Sequence, residues 1–515
     1  MKNGSSEALD GSSTNLVKEI FPVISPVLCH IINLIFVTGV YPSTFKSARI
    51  VALHKGDDPR LPANYRPISI LSAFSKVVER ALYNRIYSFF EKFDYISKLQ
   101  FGFRKEHCSD HPMAIIVQHI NDCLDRGETP ATIFLDIQKA FDSISHEILL
   151  YKLSNAGIRG NCLRLLESYL HGRQQILIYN DVRSDSLQQS DKVGVPQGSV
   201  LGPLLFLVYI NDLCSATGVS SIDTQFADDT AATVSGKSRE ELVVNLTSAY
   251  DRLSTWLSDN RLLLNRKKTK FIVYSRTGHK FPDIESVSLS ANEPESVIER
   301  VVLIRYLGVV FDENLSWKEQ INQVRAKSAR GVGIMCRLKN LLPYCALKSI
   351  YFSLVQSHFD YASIIFLNTF KSNVTPLQII QNKAVRILKP FLPSPSNFPL
   401  KSTTETLFSL HNILPVRQSI QFLSVMFKIK LEREKLPRYF ASMGLISSPS
   451  SSQVETRGKY NLRTPKVVTE RSRFCLRYLI PLHWERLKNE IDFNVSIDAI
   501  RRKLKRVLIE SYKSK

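Results

Sequence analysis

The sequence predicts an α+β fold in which a region of mixed helices and strands precedes an all-α region. As far as Phe311, helical periodicities of apolar residues alternate with short, strongly apolar strand patterns. Beyond Phe311 the apolar residues recur at the helical spacing of three or four residues. Segment 221–235 has the pattern of a β-hairpin, so the mixed region is expected to contain an antiparallel sheet.

The individual elements follow from these patterns in chain order. Segment 132–137 is almost wholly apolar and is therefore expected to be a strand buried on both faces. Gly157 is well placed to end the helix that precedes it. Turn residues occupy 56–59, and a polar loop with irregular strands is expected over 275–300. The predicted strands are 48–53, 132–137, 271–274 and 306–311, and the predicted helices are 14–45, 72–93, 147–155, 200–210 and 239–257.

The N-terminal part is apolar but does not have the pattern of a targeting or membrane segment. Residues 1–13 are polar and include acidic side chains, unlike a signal peptide. Segment 20–41 is apolar but is interrupted by Pro22, Pro26 and His30, so it predicts a packed helix or two rather than a membrane span. We therefore expect a soluble protein that contacts no membrane.

Charge and cysteine usage narrow the class of protein further. The 515 residues include 68 lysines and arginines against 47 acids, which gives a net charge of +21. Such an excess attracts polyanions, of which nucleic acid is the commonest, although a basic protein without such a partner is the alternative. The eight cysteines include no CxxC pair, which argues against a zinc ribbon and a secreted disulfide scaffold. We expect an intracellular protein, with the nucleus as its site of action and the cytoplasm as the alternative.

Three carboxylates occur where folding alone would not place them. Asp136 ends the buried strand, and the adjacent Asp228 and Asp229 lie at the tip of the predicted hairpin. Neighbouring aspartates repel each other and have low β-propensity. A divalent cation would supply the missing positive charge, and Mg²⁺ takes one or two carboxylates together with substrate phosphates. The alternative is a solvated surface turn.

Seven segments, in unbroken order over about residues 20–340, resemble the motifs of reverse transcriptases from non-LTR (LINE-type, jockey/CR1-like) retrotransposons. The segments that resemble motifs A to E are 134–142 (FLDIQKAFD), 195–203 (VPQGSVLGP), 226–229 (FADD), 264–269 (LNRKKT) and 306–308 (YLG), and those that resemble fingers motifs are 64–69 (NYRPIS) and 100–104 (QFGFR). The resemblance implies a right-hand polymerase. Residues 1–45 would be a helical extension, 46–315 the fingers and palm, 316–390 a helical thumb, and 391–515 a basic, largely helical region with breaks at 390–404 and 447–456.

The resemblance also implies roles at the metal site. Asp136, Asp228 and, less directly, Asp229 would bind two Mg²⁺ ions, for which Mn²⁺ is an alternative. The backbone carbonyl of Ile137 would be an additional ligand, because hard cations accept carbonyl oxygen. Lys268 would protonate the leaving pyrophosphate, although Lys267 and Lys270 leave that register open by one position.

Further residues would bind the nucleotide by the same resemblance. Lys55 and Arg66 would clamp the triphosphate, Phe141 would lie under the sugar, and Gln197 and Gly198 would contact the template or nucleotide. Each has a simpler reading from the residues alone. The two cations could be ordinary surface residues, Phe141 could be a core residue, and the Gln-Gly pair could be a helix start.

Two basic segments follow the mixed region. Lys327, Arg330 and Arg337 cluster on one face of a predicted helix, which suits phosphates of a primer–template duplex and equally suits a solvated face. The run RRKLKR at 501–506 could be a nucleic-acid-binding tail, the charged face of a helix, or a nuclear-localisation signal.

The expected function is RNA-directed DNA polymerisation. The partners would be an RNA template, a DNA primer or target, deoxynucleoside triphosphates, and the element RNA as a ribonucleoprotein. No segment resembles an endonuclease, an RNase H domain or CCHC knuckles, so a polymerase module without its endonuclease is expected. The alternative is a catalytically inactive or domesticated remnant that only binds nucleic acid.

Overall fold

The computed structural model describes most of the chain. The described residues are 6–56, 58–179, 182–218, 221–275, 286–288, 297–388, 403–443, 464–468 and 471–513. The predicted break at 447–456, nearly all of the one at 390–404 and much of the predicted loop at 275–300 lie outside these residues.

The described chain contains sixteen α-helices and thirteen strands. The helices are α1 Thr14–Thr38, α2 Ala73–Lys92, α3 Asp110–Asp125, α4 His146–Asn155, α5 Asn161–Leu170, α6 Gly202–Tyr209, α7 Arg239–Asp259, α8 Lys318–Leu338, α9 Tyr344–Tyr351, α10 Ser357–Asp360, α11 Ser363–Phe366, α12 Lys371–Leu388, α13 Thr404–His411, α14 Val416–Glu432, α15 Leu476–Leu487 and α16 Ile497–Lys513. The strands are β1 Ser47–His54, β2 Tyr65–Leu71, β3 Thr129–Leu135, β4 Gln174–Tyr179, β5 Val182–Arg183, β6 Leu187–Gln188, β7 Ile222–Phe226, β8 Asp229–Gly236, β9 Lys270–Val273, β10 Ser286–Ser288, β11 Val297–Arg300, β12 Leu303–Tyr306 and β13 Val309–Asp312. Short 3₁₀ segments lie at Ser43–Lys46, Pro62–Asn64, Asn211–Ser215, Arg438–Met443, Arg471–Phe474 and Lys488–Glu490, and a π-helical turn, Phe352–Gln356, joins α9 to α10.

A six-stranded central sheet organises the mixed region. Its strand order is β10-β11-β9-β3-β8-β7, and all neighbours are antiparallel except β11 and β9. All seven residues of β3 are buried, as the apolar pattern predicts. Because side chains alternate along a strand, Ile133 packs with residues of α2, α6 and α7, whereas Phe134 packs with residues of α3 on the other face. Two apolar layers therefore fix the position at which β3 ends.

A smaller sheet is formed by strands that precede and follow β3 in the chain. Strands β2, β1, β4 and β5 follow one another across it, and β6 also pairs with β4. β1 and β2 form an antiparallel hairpin, in which Leu53 lies opposite Arg66 and His54 lies opposite Tyr65. β4 runs parallel to β1, which requires the long connection through α2 to α5.

Helix α1 is a single helix that packs on one face. Val17, Leu28 and Ile35 are buried, whereas 11 % of its most apolar 18-residue window is buried. Pro22 lies inside the helix without ending it. In the described part of the chain, α1 is long and apolar enough to cross a membrane by length and composition. The prediction of a packed segment therefore holds for one face only.

The α+β class is confirmed, and one predicted element is wrong. Segment 306–311 is not a single strand but lies across the turn of the antiparallel hairpin β12–β13. Leu307 and Gly308 form this turn with φ of +46° and +79°. Two consecutive positive φ values are typical of the type I′ turn, which matches the twist of paired strands. The turn was not predicted because the segment is apolar apart from one glycine.

The rest of the predicted order is confirmed in the described residues. β1, β3, the β7–β8 hairpin, β9, α2, α4, α6 and α7 lie where the patterns place them. After β13 the described residues contain helices and no strands. The sequence patterns missed β2, β4, α3 and α5. The predicted domain boundaries remain predictions.

Candidate active site

Strand register brings the three predicted carboxylates to one end of the central sheet. Leu135, the last residue of β3, pairs with Thr230 of β8. Asp136 therefore follows β3 beside the start of β8, where Asp229 pairs with Phe226 across the hairpin. Asp228 lies in the turn between Phe226 and Asp229. The sequence prediction that these three side chains lie together is thus supported by the pairing of β3, β7 and β8.

The carboxylates influence each other's protonation. Burial raises the pKa of Asp228, and repulsion by Asp136 raises it further. Burial, and then repulsion by Asp228 and Asp136, raises the pKa of Asp229 to about 6. The positive charge of Arg66, in β2, lowers both pKa values, which indicates that its guanidinium lies near Asp228 and Asp229. Such a cluster of partly desolvated acids favours a bound cation.

Asn265 holds Asp136 in place and was missed by the sequence reasoning. Its side-chain Nδ2 donates to Asp136 Oδ2 at 2.7 Å, and its backbone N–H donates to the Asp136 carbonyl at 2.8 Å. The backbone N–H of Asp136 donates to Thr269 Oγ1 at 3.3 Å. Asn265 stands next to the lysines of its motif, and its role could be seen only once β3 and the segment before β9 were paired.

The carbonyl of Ile137 is compatible with its predicted role as a ligand. Ile137 forms an isolated antiparallel bridge with Leu264. The bridge uses the carbonyl of Asp136 and the N–H of Gln138, which donates to Leu263 at 2.8 Å. The carbonyl of Ile137 itself is not engaged by that pairing.

The donor set fits an open magnesium site rather than a closed metal cage. Among the residues described, no group of three or more His, Cys, Asp or Glu side chains is arranged to hold a metal ion by itself. Mg²⁺ does not need such a cage, because it keeps several waters and takes substrate phosphates as ligands. Asp136 keeps one carboxylate oxygen beyond the one that Asn265 binds. Carboxylates on adjacent strand ends therefore suit this ion.

The segment QFG at 100–102 contacts the turn at Ala227 and Asp228, a role that the motif alone did not reveal. Ala227 has φ of +59°, a conformation that L-residues rarely adopt. Gln100 is fully buried, and its Oε1 accepts from the N–H groups of Gly102 at 2.8 Å and Ala227 at 3.0 Å. A Cβ on Gly102 would lie 2.2 Å from the Ala227 nitrogen. The backbone of Gly102 therefore contacts the backbone of Ala227, the residue that precedes Asp228.

Gln197 and Gly198 are fixed by contacts on two sides. Gln197 Nε2 donates to Asp142 Oδ1 at 2.9 Å, and its carbonyl accepts from the Ser69 N–H at 2.7 Å. Gly198 has φ of +110°, and a Cβ there would lie 2.7 Å from the Ser69 carbonyl oxygen. The glycine is thus required for the approach to β2, in addition to any contact with a ligand.

Glu79 binds the backbone that follows Gly198, and the sequence analysis did not predict this role. The Glu79 side chain is fully buried, and its Oε2 accepts from the N–H groups of Val200 at 2.7 Å and Leu201 at 3.1 Å. Its Oε1 accepts from the Ser75 hydroxyl at 3.1 Å. Burial raises the pKa of Glu79, whereas these amides and Arg173 lower it. A buried glutamate in α2 therefore caps the start of α6.

Phe141 is part of an aromatic cluster. Its ring stacks on Phe206, with centroids 4.7 Å apart, and meets the edge of Phe103 at 6.0 Å. Phe141 is half-buried rather than enclosed. Its ring therefore packs against Phe206 and is partly accessible to solvent, and its contact with a sugar remains a prediction.

The predicted cations of the site lie on two separate segments, the β1–β2 hairpin and the turn before β9. Lys55 and Arg66 extend from the same end of the β1–β2 hairpin and lie on the same face by strand alternation. Lys268 is exposed in the turn that Asn265 begins. Lys270 is ion-paired with Glu299 at 2.5 Å, which leaves Lys267 and Lys268 as the better candidates for the proton donor. The roles of these residues remain predictions.

Comparison with known proteins identifies the family. The family model described as reverse transcriptase (RNA-dependent DNA polymerase) matches residues 53–311. "Probable RNA-directed DNA polymerase from transposon X-element" of Drosophila melanogaster is 29% identical over 367 residues, which cover 70% of this chain and 39% of that protein. "RNA-directed DNA polymerase from mobile element jockey" of the same organism is 29% identical over 374 residues, with the same coverage.

The chain spans about two fifths of the length of these curated relatives. Among solved structures, telomerase from Candida albicans in complex with an RNA fragment covers 72% of this chain with 12% identity and a TM-score of 0.35, a likeness too low to support an argument. The family match rests instead on just over half of the chain, from the β1–β2 hairpin to β13, and includes every predicted site residue. The resemblance to LINE-type elements is confirmed, and the chain belongs to the reverse transcriptase (RNA-dependent DNA polymerase) family.

Proposed function

We propose that this chain is an RNA-directed DNA polymerase of the non-LTR retrotransposon type. The primer 3′-hydroxyl attacks the α-phosphate of a deoxynucleoside triphosphate on an RNA template, and pyrophosphate leaves. The observation that carries the proposal is the meeting of Asp136, Asp228 and Asp229 at one sheet end. The names of the relatives, RNA-directed DNA polymerases of mobile elements, support the choice of template and product.

Two Mg²⁺ ions are the proposed cofactor, with Mn²⁺ as a substitute. Asp136 and Asp228 would be direct ligands, Asp229 would add negative potential, and the Ile137 carbonyl would complete the protein's share. When bound, such ions stabilise the attacking and leaving oxygens of an in-line phosphoryl transfer. The open donor set supports this assignment, because substrate phosphates can complete it.

The chain's own residues position the reactants. Arg66 grips phosphate through its guanidinium, and Lys55 acts as a point charge on the same hairpin face. Phe141, backed by Phe206, supports the sugar of the nucleotide. Gln197, held by Ser69 and Asp142, orients the base pair.

Lys268 is the proposed proton donor to pyrophosphate.

The net charge of +21 supports a ribonucleoprotein with the RNA that the enzyme copies. We propose the nucleus as the place where it acts.

The test is extension of a DNA primer on an RNA template by the purified chain with Mg²⁺. Asp228→Asn keeps the shape of the side chain but removes a charge that stabilises the transition state, so kcat should fall on the order of a thousandfold. Asp185→Asn, at an exposed aspartate outside the site, is the matched control and should keep wild-type activity. Undiminished synthesis by the Asp228→Asn protein would overturn the assignment.

A further inference from the structure

Phe103 has a strained backbone and an exposed ring beside the candidate active site. Its φ is +54°, a conformation that is unfavourable for a bulky residue. Its side chain is 47% exposed, although an apolar ring gains nothing from contact with water. Backbone strain of this kind persists where the surrounding structure enforces it, and it concentrates at functional sites.

The neighbours of Phe103 account for the strain. Gly102 is pressed against the backbone of Ala227, and Phe101 is buried in the core. Arg104 donates to the Ser97 carbonyl at 2.9 Å and forms an ion pair with Glu91 at 3.0 Å. Both flanks of the segment are therefore fixed, and the ring is held out from the core.

The ring contacts Phe141, the predicted sugar contact, and belongs to the residue that follows Gly102. It meets Phe141 nearly at right angles, 86°, with centroids 6.0 Å apart. Gly102 contacts Ala227, the residue before Asp228. A nucleotide whose α-phosphate approaches the carboxylates while its sugar contacts Phe141 must pass close to this ring.

We propose that Phe103 is a specificity-determining residue that forms, with Phe141, the wall against the sugar of the incoming nucleotide. The inference rests on the proposed polymerase function. A rigid second ring restricts the movement of Phe141 and leaves less space for a 2′-hydroxyl. Phe103 therefore contributes to the selection of deoxynucleotides over ribonucleotides, although it lies outside the motif that contains Phe141.

Single-nucleotide incorporation by the full chain tests this role. kcat and KM are measured with dGTP and with GTP on one RNA template and DNA primer. Phe103→Leu and Phe103→Gly should lower the ratio of kcat/KM for dGTP to that for GTP by roughly tenfold, the effect of a change in pocket shape. The fall should come largely from a lower KM for GTP.

Two further measurements separate this role from a structural one. Glycine tolerates positive φ, so Phe103→Gly should unfold at a temperature no lower than the wild type. Phe370→Leu is the matched control for Phe103→Leu, because Phe370 is 45% exposed and has one edge contact, with Phe474 at 5.1 Å. It should keep the wild-type ratio.

The outcomes are distinguishable from those of the proposed function. A wild-type protein that does not extend the primer would refute the polymerase assignment itself. A wild type that extends the primer, with Phe103 variants that keep its dGTP-to-GTP ratio, would overturn only the role of Phe103. Equal losses of kcat for both nucleotides would also overturn it, since that result indicates damage to the turn.

Discussion

At the scale of single residues, the site depends on contacts between backbones that are distant in sequence. Gly102 approaches Ala227 so closely that a Cβ would lie 2.2 Å from a backbone nitrogen. Real Cβ contacts are essentially never shorter than 3.0 Å, so a side chain at this position would displace the turn that presents Asp228. Gly102 thus affects the position of Asp228, the proposed metal ligand.

Gly102→Ala should therefore impair both folding and catalysis. The overpacked contact should lower the free energy of unfolding by about 1–3 kcal/mol, and primer extension should fall even at temperatures where the protein is folded. Urea denaturation and steady-state extension measure the two effects. Gly333→Ala is the control, because Gly333 has open space around it within α8. Wild-type stability and activity in Gly102→Ala would contradict the contact.

The meeting of the three candidate carboxylates was predictable from the sequence, whereas the residues that hold them in place were not. Asp136, Asp228 and Asp229 are conspicuous because charged side chains interrupt strongly apolar segments. Asn265 and Glu79 are ordinary polar residues in the sequence. Their importance arises from partners 129 and 121 positions away, which only the folded chain brings into contact.

At the scale of elements, the central sheet was predictable and the small sheet largely was not. β3 is wholly buried, and its apolar residues Ile133, Phe134 and Leu135 make that burial predictable from composition. β4 is mostly exposed or half-buried, and Ile176 is its one buried residue. The β12–β13 hairpin was misread because a two-residue turn interrupts an apolar segment only briefly. Strand recognition therefore failed where burial was low or the turn was short.

The link between α2 and α6 gives a second prediction. Glu79→Ala would leave the N–H groups of Val200 and Leu201 without their buried acceptor, and Arg173 without its opposite charge. The free energy of unfolding should fall by roughly 3–5 kcal/mol. Glu79→Gln keeps an amide oxygen for both donors and should cost much less. Denaturant titration of the two variants measures the difference.

A control and a contrary outcome define this test. Glu167→Ala, in α5, removes a surface glutamate side chain and should change stability by less than about 0.5 kcal/mol. If Glu79→Gln were as destabilising as Glu79→Ala, the charge of Glu79 opposite Arg173 would be its main contribution, and the capping of α6 would be secondary.

At the scale of the whole molecule, several helices contribute cations to one region of the C-terminal half. Burial lowers the pKa of His358, and repulsion by Lys327 and Arg330 of α8 lowers it further. Burial also lowers the pKa of Lys505 in α16, and Lys348 of α9 repels it. Mutual repulsion of this kind makes a polyanion a favourable partner, since its phosphates relieve it.

We expect this region to bind the primer–template duplex through its phosphates. Each phosphate contact that is lost should reduce the slope of log affinity against log salt by roughly 0.9. Lys327→Gln combined with Arg330→Gln should therefore weaken binding of an RNA–DNA duplex and flatten this slope by up to roughly 2. Filter binding or fluorescence anisotropy over a range of salt concentrations measures both quantities.

The comparison with Lys237→Gln makes the result specific to the region. Lys237 is exposed and follows the end of β8 that is opposite Asp229, so it lies far from the end of the central sheet that carries the candidate carboxylates. Its loss lowers the net charge but removes no expected phosphate contact. If the effect of α8 came from net charge alone, Lys237→Gln would flatten the slope as much per charge as the α8 variants do. An unchanged slope for Lys237→Gln, with a flattened one for α8, would instead place the duplex against α8 and not on the basic surface in general.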